Sequence, residues 1–172
     1  MRLRPVFCRP LMIIIVMGVT GSGKTTVGER LAATLGWRFH DADDFHPEVN
    51  KAKMHAGIPL TDEDRWPWLQ ALRAVIEQAL ADHTGAVVTC SALKRAYRDV
   101  LAGGLSGVHY VHLTGDPRVL ATRLADRRGH FMNPALLDSQ LSTLEAPADA
   151  LDVDVALTPD QQVEFIRHTL GL

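Results

Sequence analysis

The sequence predicts an α/β protein: a three-layer P-loop fold in which a parallel sheet carries helices on both faces. Short apolar runs, among them Met12–Met17, Ala86–Cys90 and Val108–Leu113, alternate with longer segments of helical periodicity. That is the pattern of parallel strands joined by crossover helices. Between the first run and the first helical segment stands Gly18-Val19-Thr20-Gly21-Ser22-Gly23-Lys24-Thr25. This is the strand–GxxxxGK[ST]–helix arrangement of a phosphate-binding loop. The chain has 172 residues, 47% of them hydrophobic, which suits one domain with a sizeable core.

The elements follow in order. Strand 1 is expected over Met12–Met17. Helix 1 is expected over Lys24–Leu35, with Val27, Leu31 and Leu35 as one apolar stripe and Gly36 as its stop. Strand 2 is expected over Trp37–His40. The polar stretch Asp41–Asp64 has little periodicity beyond a short helix near Val49–Met54. A longer helix is expected over Trp66–Asp82, with Leu69, Leu72, Ile76 and Leu80 on one face. Strand 3 is Ala86–Cys90, followed by a helix over Lys94–Leu101 that Gly103-Gly104 ends. Strand 4 is Val108–Leu113. Asp116-Pro117 opens a helix to Arg127, since proline suits a first helical turn, and Asn133-Pro134 opens another to Leu144. Val153–Leu157 is read as the last strand and Pro159–Leu170 as the last helix. No internal repeat, low-complexity segment or linker interrupts residues 12–172, which read as a single domain.

Composition excludes some classes of partner. The net charge is −2, so no strong field toward nucleic acid or a membrane surface is expected. No run approaches the roughly 18 apolar residues of a membrane span. Cys8 and Cys90 make no disulfide framework, which fits a reducing cytoplasm. Arg2, Arg4 and Arg9 before Leu11–Met17 imitate a signal peptide. Cleavage there would remove the strand that carries the phosphate loop, so the run is read as a buried strand. Residues 1–11 read as an extension without a packed role, and Met12 is a possible start.

Four constellations carry the chemistry. The first is the loop itself, with Gly18, Thr20, Gly21, Ser22, Gly23, Lys24, Thr25 and Thr26 as candidate nucleotide contacts. Its glycines let successive N–H groups curl around an anion, and the following helix adds its positive end. Lys24 would reach the β- and γ-phosphates of ATP, and the Thr25 hydroxyl would ligate Mg²⁺. The second is His40-Asp41-Ala42-Asp43-Asp44-Phe45-His46, just past strand 2, where open α/β sheets bind ligands. One carboxylate of Asp41 and Asp43 can serve the metal side, and one can take the proton of an attacking hydroxyl. A solvated acidic loop capping a helix is the plainer alternative.

The third is Cys90–Asp99. Lys94 and Arg98, four apart, would share a helix face and hold an anionic substrate. Arg65 could do the same, although acidic neighbours surround it. Ser91 is a substrate candidate whose structural alternative is a helix cap. Cys90 reads as a small buried residue rather than a nucleophile. The fourth is Arg123–Phe131, where Arg123 and Arg127 share a face and Gly129 breaks the helix. It resembles the lid of adenylate-kinase-like enzymes, with Arg123 stacked on adenine, Arg127 on the phosphates as a catalytic charge, and His130 either at the substrate or packing the lid.

A P-loop alone names no reaction. Asn50-Lys51-Ala52-Lys53 lacks the final Asp of a guanine-reading motif, and strand 3 lacks a terminal Asp of Walker B type. Both absences favour a small-metabolite kinase over a GTPase or large NTPase. Together the strings Met17–Thr25, Asp41–Pro47, Asn50–Met54, Gly57–Leu69, Cys90–Asp99 and Arg127–Met132 resemble the gluconokinase family, in order, from about residue 12 to the C-terminus. The Cys90–Asp99 and Gly57–Leu69 strings are the specific ones; Thr20 stands where many members have Ser.

The resemblance implies ATP- and Mg²⁺-dependent phosphorylation of D-gluconate at its 6-hydroxyl by a cytoplasmic homodimer. By analogy with shikimate kinase, a structural cousin, it places Asp43 at the hydroxyl and Asp41 on the metal side. It also implies a cation such as Arg98, Lys94 or Arg65 for the substrate carboxylate, and His46 as a donor to its hydroxyls. The competing expectations are a kinase of another small acid such as shikimate or of a nucleoside monophosphate, and a non-catalytic nucleotide-binding module.

Overall fold

The computed structural model describes residues 12–126 and 134–172. The expected extension over residues 1–11 lies outside them. The chain runs β1 (Ile13–Met17), α1 (Lys24–Leu35), β2 (Arg38–Asp41), a 3₁₀ turn (Ala42–Phe45), α2 (Glu48–His55) and α3 (Asp62–Ala81). It continues through β3 (Ala86–Thr89), α4 (Arg95–Ala102), β4 (Val108–Thr114), α5 (Pro117–Ala125), α6 (Pro134–Thr143), β5 (Leu151–Asp154) and α7 (Pro159–Leu170). The strands pair in the order β2-β3-β1-β4-β5, and every pair is parallel. The predicted α/β architecture is therefore the observed one.

Strand β1 shows why the sheet has two covered faces. All five of its residues are fully buried, and their alternation divides them between two cores. Ile14 and Val16 join Val27, Leu31 and Leu35 of α1, Leu120 and Leu124 of α5, and Val163 and Ile166 of α7. Ile13, Ile15 and Met17 join Leu69, Leu72 and Ile76 of α3 and Tyr97 and Leu101 of α4. Burial of each such side chain contributes about 1.5–3 kcal/mol, so a central strand with no polar residue anchors both layers.

Helices α1 and α7 keep their expected bounds, and each ends on a glycine in the left-handed region, Gly36 or Gly171. Two elements depart from expectation. Helix α3 starts at Asp62 rather than Trp66, despite Pro67. Its start is set by a capping box in which Thr61 accepts from the Asp64 amide and Asp64 accepts from the Thr61 amide. Strand β5 covers Leu151–Asp154, earlier than the expected Val153–Leu157. Its ladder with Val111–Thr114 ends at Asp154, whose carboxylate and carbonyl then accept from the Ala156 and Leu157 amides. Val155 is buried beyond the strand, which is why hydrophobicity alone misplaced the end.

Candidate active site

The carboxyl ends of β1, β2 and β3 open onto one side of the sheet, and the loop between β1 and α1 lies there. Gly18 has φ +148°, and a Cβ on it would stand 2.7 Å from the Leu113 carbonyl oxygen and 2.9 Å from Ser22 Oγ. Only glycine fits so close to the neighbouring strand. Gly23, at φ +93°, is the N-cap of α1 and supplies no side-chain cap. The positive end of that helix thus begins at the loop, which suits an anion. Ser22 Oγ is buried and has no hydrogen-bond partner among the described residues, as befits a group that meets a ligand. Lys24 Nζ folds back over the loop and donates to the Val19 carbonyl at 3.1 Å.

Asp41 ties this loop to the next constellation. It is the last residue of β2, and its Oδ2 accepts from Thr25 Oγ1 at 3.1 Å. Its Oδ1 accepts from the Asp43 amide at 3.1 Å and so caps the 3₁₀ turn. The two hard oxygens expected at the metal are therefore neighbours. The turn sets the aim of Asp43. That side chain is exposed, with the charges of Asp41, Asp44 and Lys24 near it. Desolvation there, with the charge of Asp41 and, less strongly, of Asp44, holds its carboxyl above the ordinary range, against the pull of Lys24.

His46 forms the next wall. It is buried, stacked on Trp68 with ring centroids 4.2 Å apart, and its Nδ1 lies 3.4 Å from Asn50 Nδ2. Asn50 Nδ2 also donates to the Asp64 carbonyl at 2.7 Å, which fixes that nitrogen as the donor. His46 Nδ1 is then the acceptor, and the ring proton sits on Nε2. Burial, with the charges of Arg65 and Lys51, pushes the His46 pKa down to about 4. The ring is neutral at neutral pH. Trp68 Nε1 donates to the Ala42 carbonyl at 2.7 Å, so α3 holds the 3₁₀ turn in place.

The cations gather one step further along. Lys94 Nζ donates to both oxygens of Asp62 at 2.9 and 3.2 Å, Tyr97 Oη to Oδ1 at 2.5 Å, and Arg65 Nη1 to Oδ1 at 3.3 Å. Arg65 and Lys94 also lie over the Tyr97 ring, 5.6 and 5.4 Å from its centroid. Two of the three predicted cations, Arg65 and Lys94, are thus brought together.

Arg98 is not with them. Helix α4 begins at Arg95, and Lys94 precedes it in extended conformation, so Lys94 and Arg98 do not share a helical face. Arg98 is buried, and its Nη1 donates to the Ala92 and Leu93 carbonyls at 2.9 and 3.1 Å. It props the turn in which Ala92 holds φ +44°, and the expected helix face shared with Lys94 is corrected. Ser91 is half-buried on the same turn and does not cap α4. Cys90 is a free thiol in the core, and burial pushes its pKa up to about 12. It is the small buried residue expected, not a nucleophile.

On the opposite flank of the phosphate loop, Arg123 donates from Nη2 to the Val155 carbonyl. The expected adenine contact is therefore next to the segment after β5. Thr26 lies exposed in the first turn of α1. Arg127 and His130 lie outside the described residues.

Sequence reading missed several contributors. Asp62 was seen only as an acidic neighbour of Arg65; the Thr61-x-x-Asp64 capping pattern would have located it in a first helical turn. Gln140 of α6 accepts from the Thr20 amide at 2.6 Å. Glu145 accepts from the Arg95 amide at 2.6 Å, and its own amide donates to the Leu93 carbonyl at 2.9 Å. No local pattern joins residues so distant in sequence.

A shikimate kinase family model matches residues 20–150. The chain is 49% identical to a probable gluconokinase of Xenopus tropicalis, covering 90% of this chain and 89% of that protein. It is also 49% identical to a gluconokinase of Gluconobacter oxydans, with the same coverage. Among solved structures, a gluconokinase from Sinorhizobium meliloti superposes with a TM-score of 0.85 at 45% identity, covering 95% of this chain and 93% of that one. A shikimate kinase from Bacteroides thetaiotaomicron, at 19% identity, superposes with a TM-score of 0.68 over 94% of this chain and 99% of its own, a likeness of fold. With its phosphate loop, acidic turn and cation cluster on one rim of a parallel sheet, the chain belongs to the gluconokinase family of P-loop kinases.

Proposed function

We propose that this chain phosphorylates D-gluconate at the 6-hydroxyl, using ATP with Mg²⁺. The observation that carries the reading is one continuous rim. It runs from Lys24 and Thr25 through Asp41 and Asp43 to His46, then to Arg65 and Lys94, in a chain of this family.

The described residues fit the nucleotide and the ion. Ser22 Oγ is buried with no hydrogen-bond partner among the described residues, and a Cβ on Gly23 would meet nothing within 4 Å, so the loop is open there. Thr25 Oγ1 and Asp41 supply adjacent hard oxygens, the donor type that suits Mg²⁺ shared with phosphate oxygens and water. When bound, the ion neutralises charge on the phosphates.

The chain's own residues do the rest. The amides from Gly21 to Thr26 orient the phosphates, and Lys24 adds a positive charge there. Asp43, its carboxyl raised toward neutrality, takes the hydroxyl proton. His46 Nε2–H serves the hydroxyl chain as a donor. Arg65 and Lys94 hold the carboxylate, which sets which hydroxyl reaches Asp43. Arg123 packs on the adenine, and the reading keeps Arg127 and His130 as closing contacts.

Purified protein with ATP and Mg²⁺ should release ADP with gluconate far faster than with shikimate or AMP. Turnover of either rival well above gluconate would contradict the reading. ADP release indifferent to any acceptor would favour a nucleotide-binding module. A cytoplasmic homodimer belongs to the same proposal and is supported by the family resemblance. Sedimentation equilibrium at twice the chain mass of 18.9 kDa is the expected result.

A further inference from the structure

The cation cluster proposed to hold the acceptor is already paired with an acid of the chain itself. Asp62 accepts from Lys94, Tyr97 and Arg65, and these donors use both of its oxygens. Their hydrogen bonds, chiefly those of Tyr97 and Lys94, keep its carboxyl below the usual range, so it is ionised across the working pH. Burial and the bond to Asp62 keep the Tyr97 phenol protonated, so it adds no charge.

The count of charge follows directly. Arg65 and Lys94 contribute two positive charges, and Asp62 removes one. The neighbouring Lys53–Asp64 pair, joined at 2.7 and 2.8 Å, cancels itself, and His46 is neutral. One net positive charge remains, over a tyrosine ring, on half-buried side chains.

We infer that Asp62 is a specificity-determining residue: it trims the Arg65/Lys94 pair to a single net charge, so that the site selects acceptors with a monoanionic head over those with a dianionic one. This rests on the reading above, in which that pair holds the acceptor's carboxylate. A monocarboxylate leaves the cluster neutral. A dicarboxylate or phosphate head leaves one negative charge uncompensated beside Asp62, where partial desolvation makes like-charge contact costly. Asp62 also fixes both cations at one point, since without it the two long side chains would be free to separate.

The test uses the full-length protein at saturating ATP, with glycolate as a monoanionic and malonate as a dianionic competitor of gluconate. In the wild type, malonate should bind no better than glycolate. In Asp62→Asn the ratio of their inhibition constants should move by about tenfold toward malonate, the order expected for one unit charge a few ångströms away in a partly solvated site. Asp62→Glu should restore the wild-type ratio. The helix start survives the change because the Thr61–Asp64 capping box is untouched; Asp62→Ser, also suited to a first helical turn, carries the same expectation. An unmoved ratio in the Asn and Ser variants overturns the proposal. Lys94→Ala separates the two levels. If it raises the gluconate KM while the ratio is unmoved in Asp62→Asn, only the role of Asp62 falls. If it leaves that KM unchanged, the carboxylate reading falls and the proposal with it.

Discussion

Under the proposed function, catalysis and stability oppose each other at Asp43. Its folded carboxyl is held above the ordinary range, so the folded state binds that proton more tightly than the unfolded chain. The associated stability is full below the unfolded value and lost as pH rises through the raised one. Asp43→Asn should therefore lower kcat by about 10²–10⁴-fold, the usual worth of a positioned base, while raising the Tm at pH 7. Calorimetry and steady-state rates on one preparation check both signs. His46 has the opposite sense. Its pKa falls from 6.5 to about 4 on folding, so its contribution is full above 6.5 and lost as pH falls toward 4. His46→Gln should flatten the pH dependence of unfolding in that window, as urea titrations at stepped pH would show. Arg98→Ala should act on stability, at about 1–3 kcal/mol for the Ala92 carbonyl left without its donor, since the Leu93 carbonyl keeps the Glu145 amide, with the gluconate KM little changed. A large rise in KM without destabilisation would return Arg98 to the acceptor site.

At the scale of elements, α6 is the least expected participant. Its Gln140 reaches the Thr20 amide in the phosphate loop, and Glu145 just beyond it reaches the Arg95 amide and, through its own amide, the Leu93 carbonyl. One helix thus spans from the nucleotide side to the turn that carries Lys94. Gln140→Leu should lower kcat by about tenfold or more, the scale on which misplacing a reacting group by about an ångström is felt, with a smaller change in the gluconate KM. Rapid-quench measurement of the phosphoryl-transfer step would locate the loss. Such a link was not legible in the sequence, because neither residue belongs to a local motif. What was legible depended on short-range physics. Helices α1 and α7 have unambiguous stripes and glycine stops, and they were found at their expected bounds. The phosphate loop was legible because a motif fixes its spacing, and Asp41–Asp43 because they stand just past the end of the expected strand. Arg98 misled because its partner surface depended on where α4 begins, and α3 began early because a capping box outweighed a proline.

For the whole molecule, the two cores on either side of β1 hold the strands whose ends form the rim. The buried strand ends deliver the phosphate loop, Asp41 and the Cys90–Lys94 turn to one edge, and α3 closes that edge with Trp68, Arg65 and Asp62. The central claim is that this edge joins a triphosphate to a polyol acid. The most direct measurement is phosphorus and carbon NMR of gluconate incubated with ATP, Mg²⁺ and the purified protein. One phosphate ester at C6 should form for each ADP released, and Lys24→Ala should abolish nearly all of it. Gluconate left unesterified while wild-type protein binds nucleotide, or equal product from Lys24→Ala, would contradict the account.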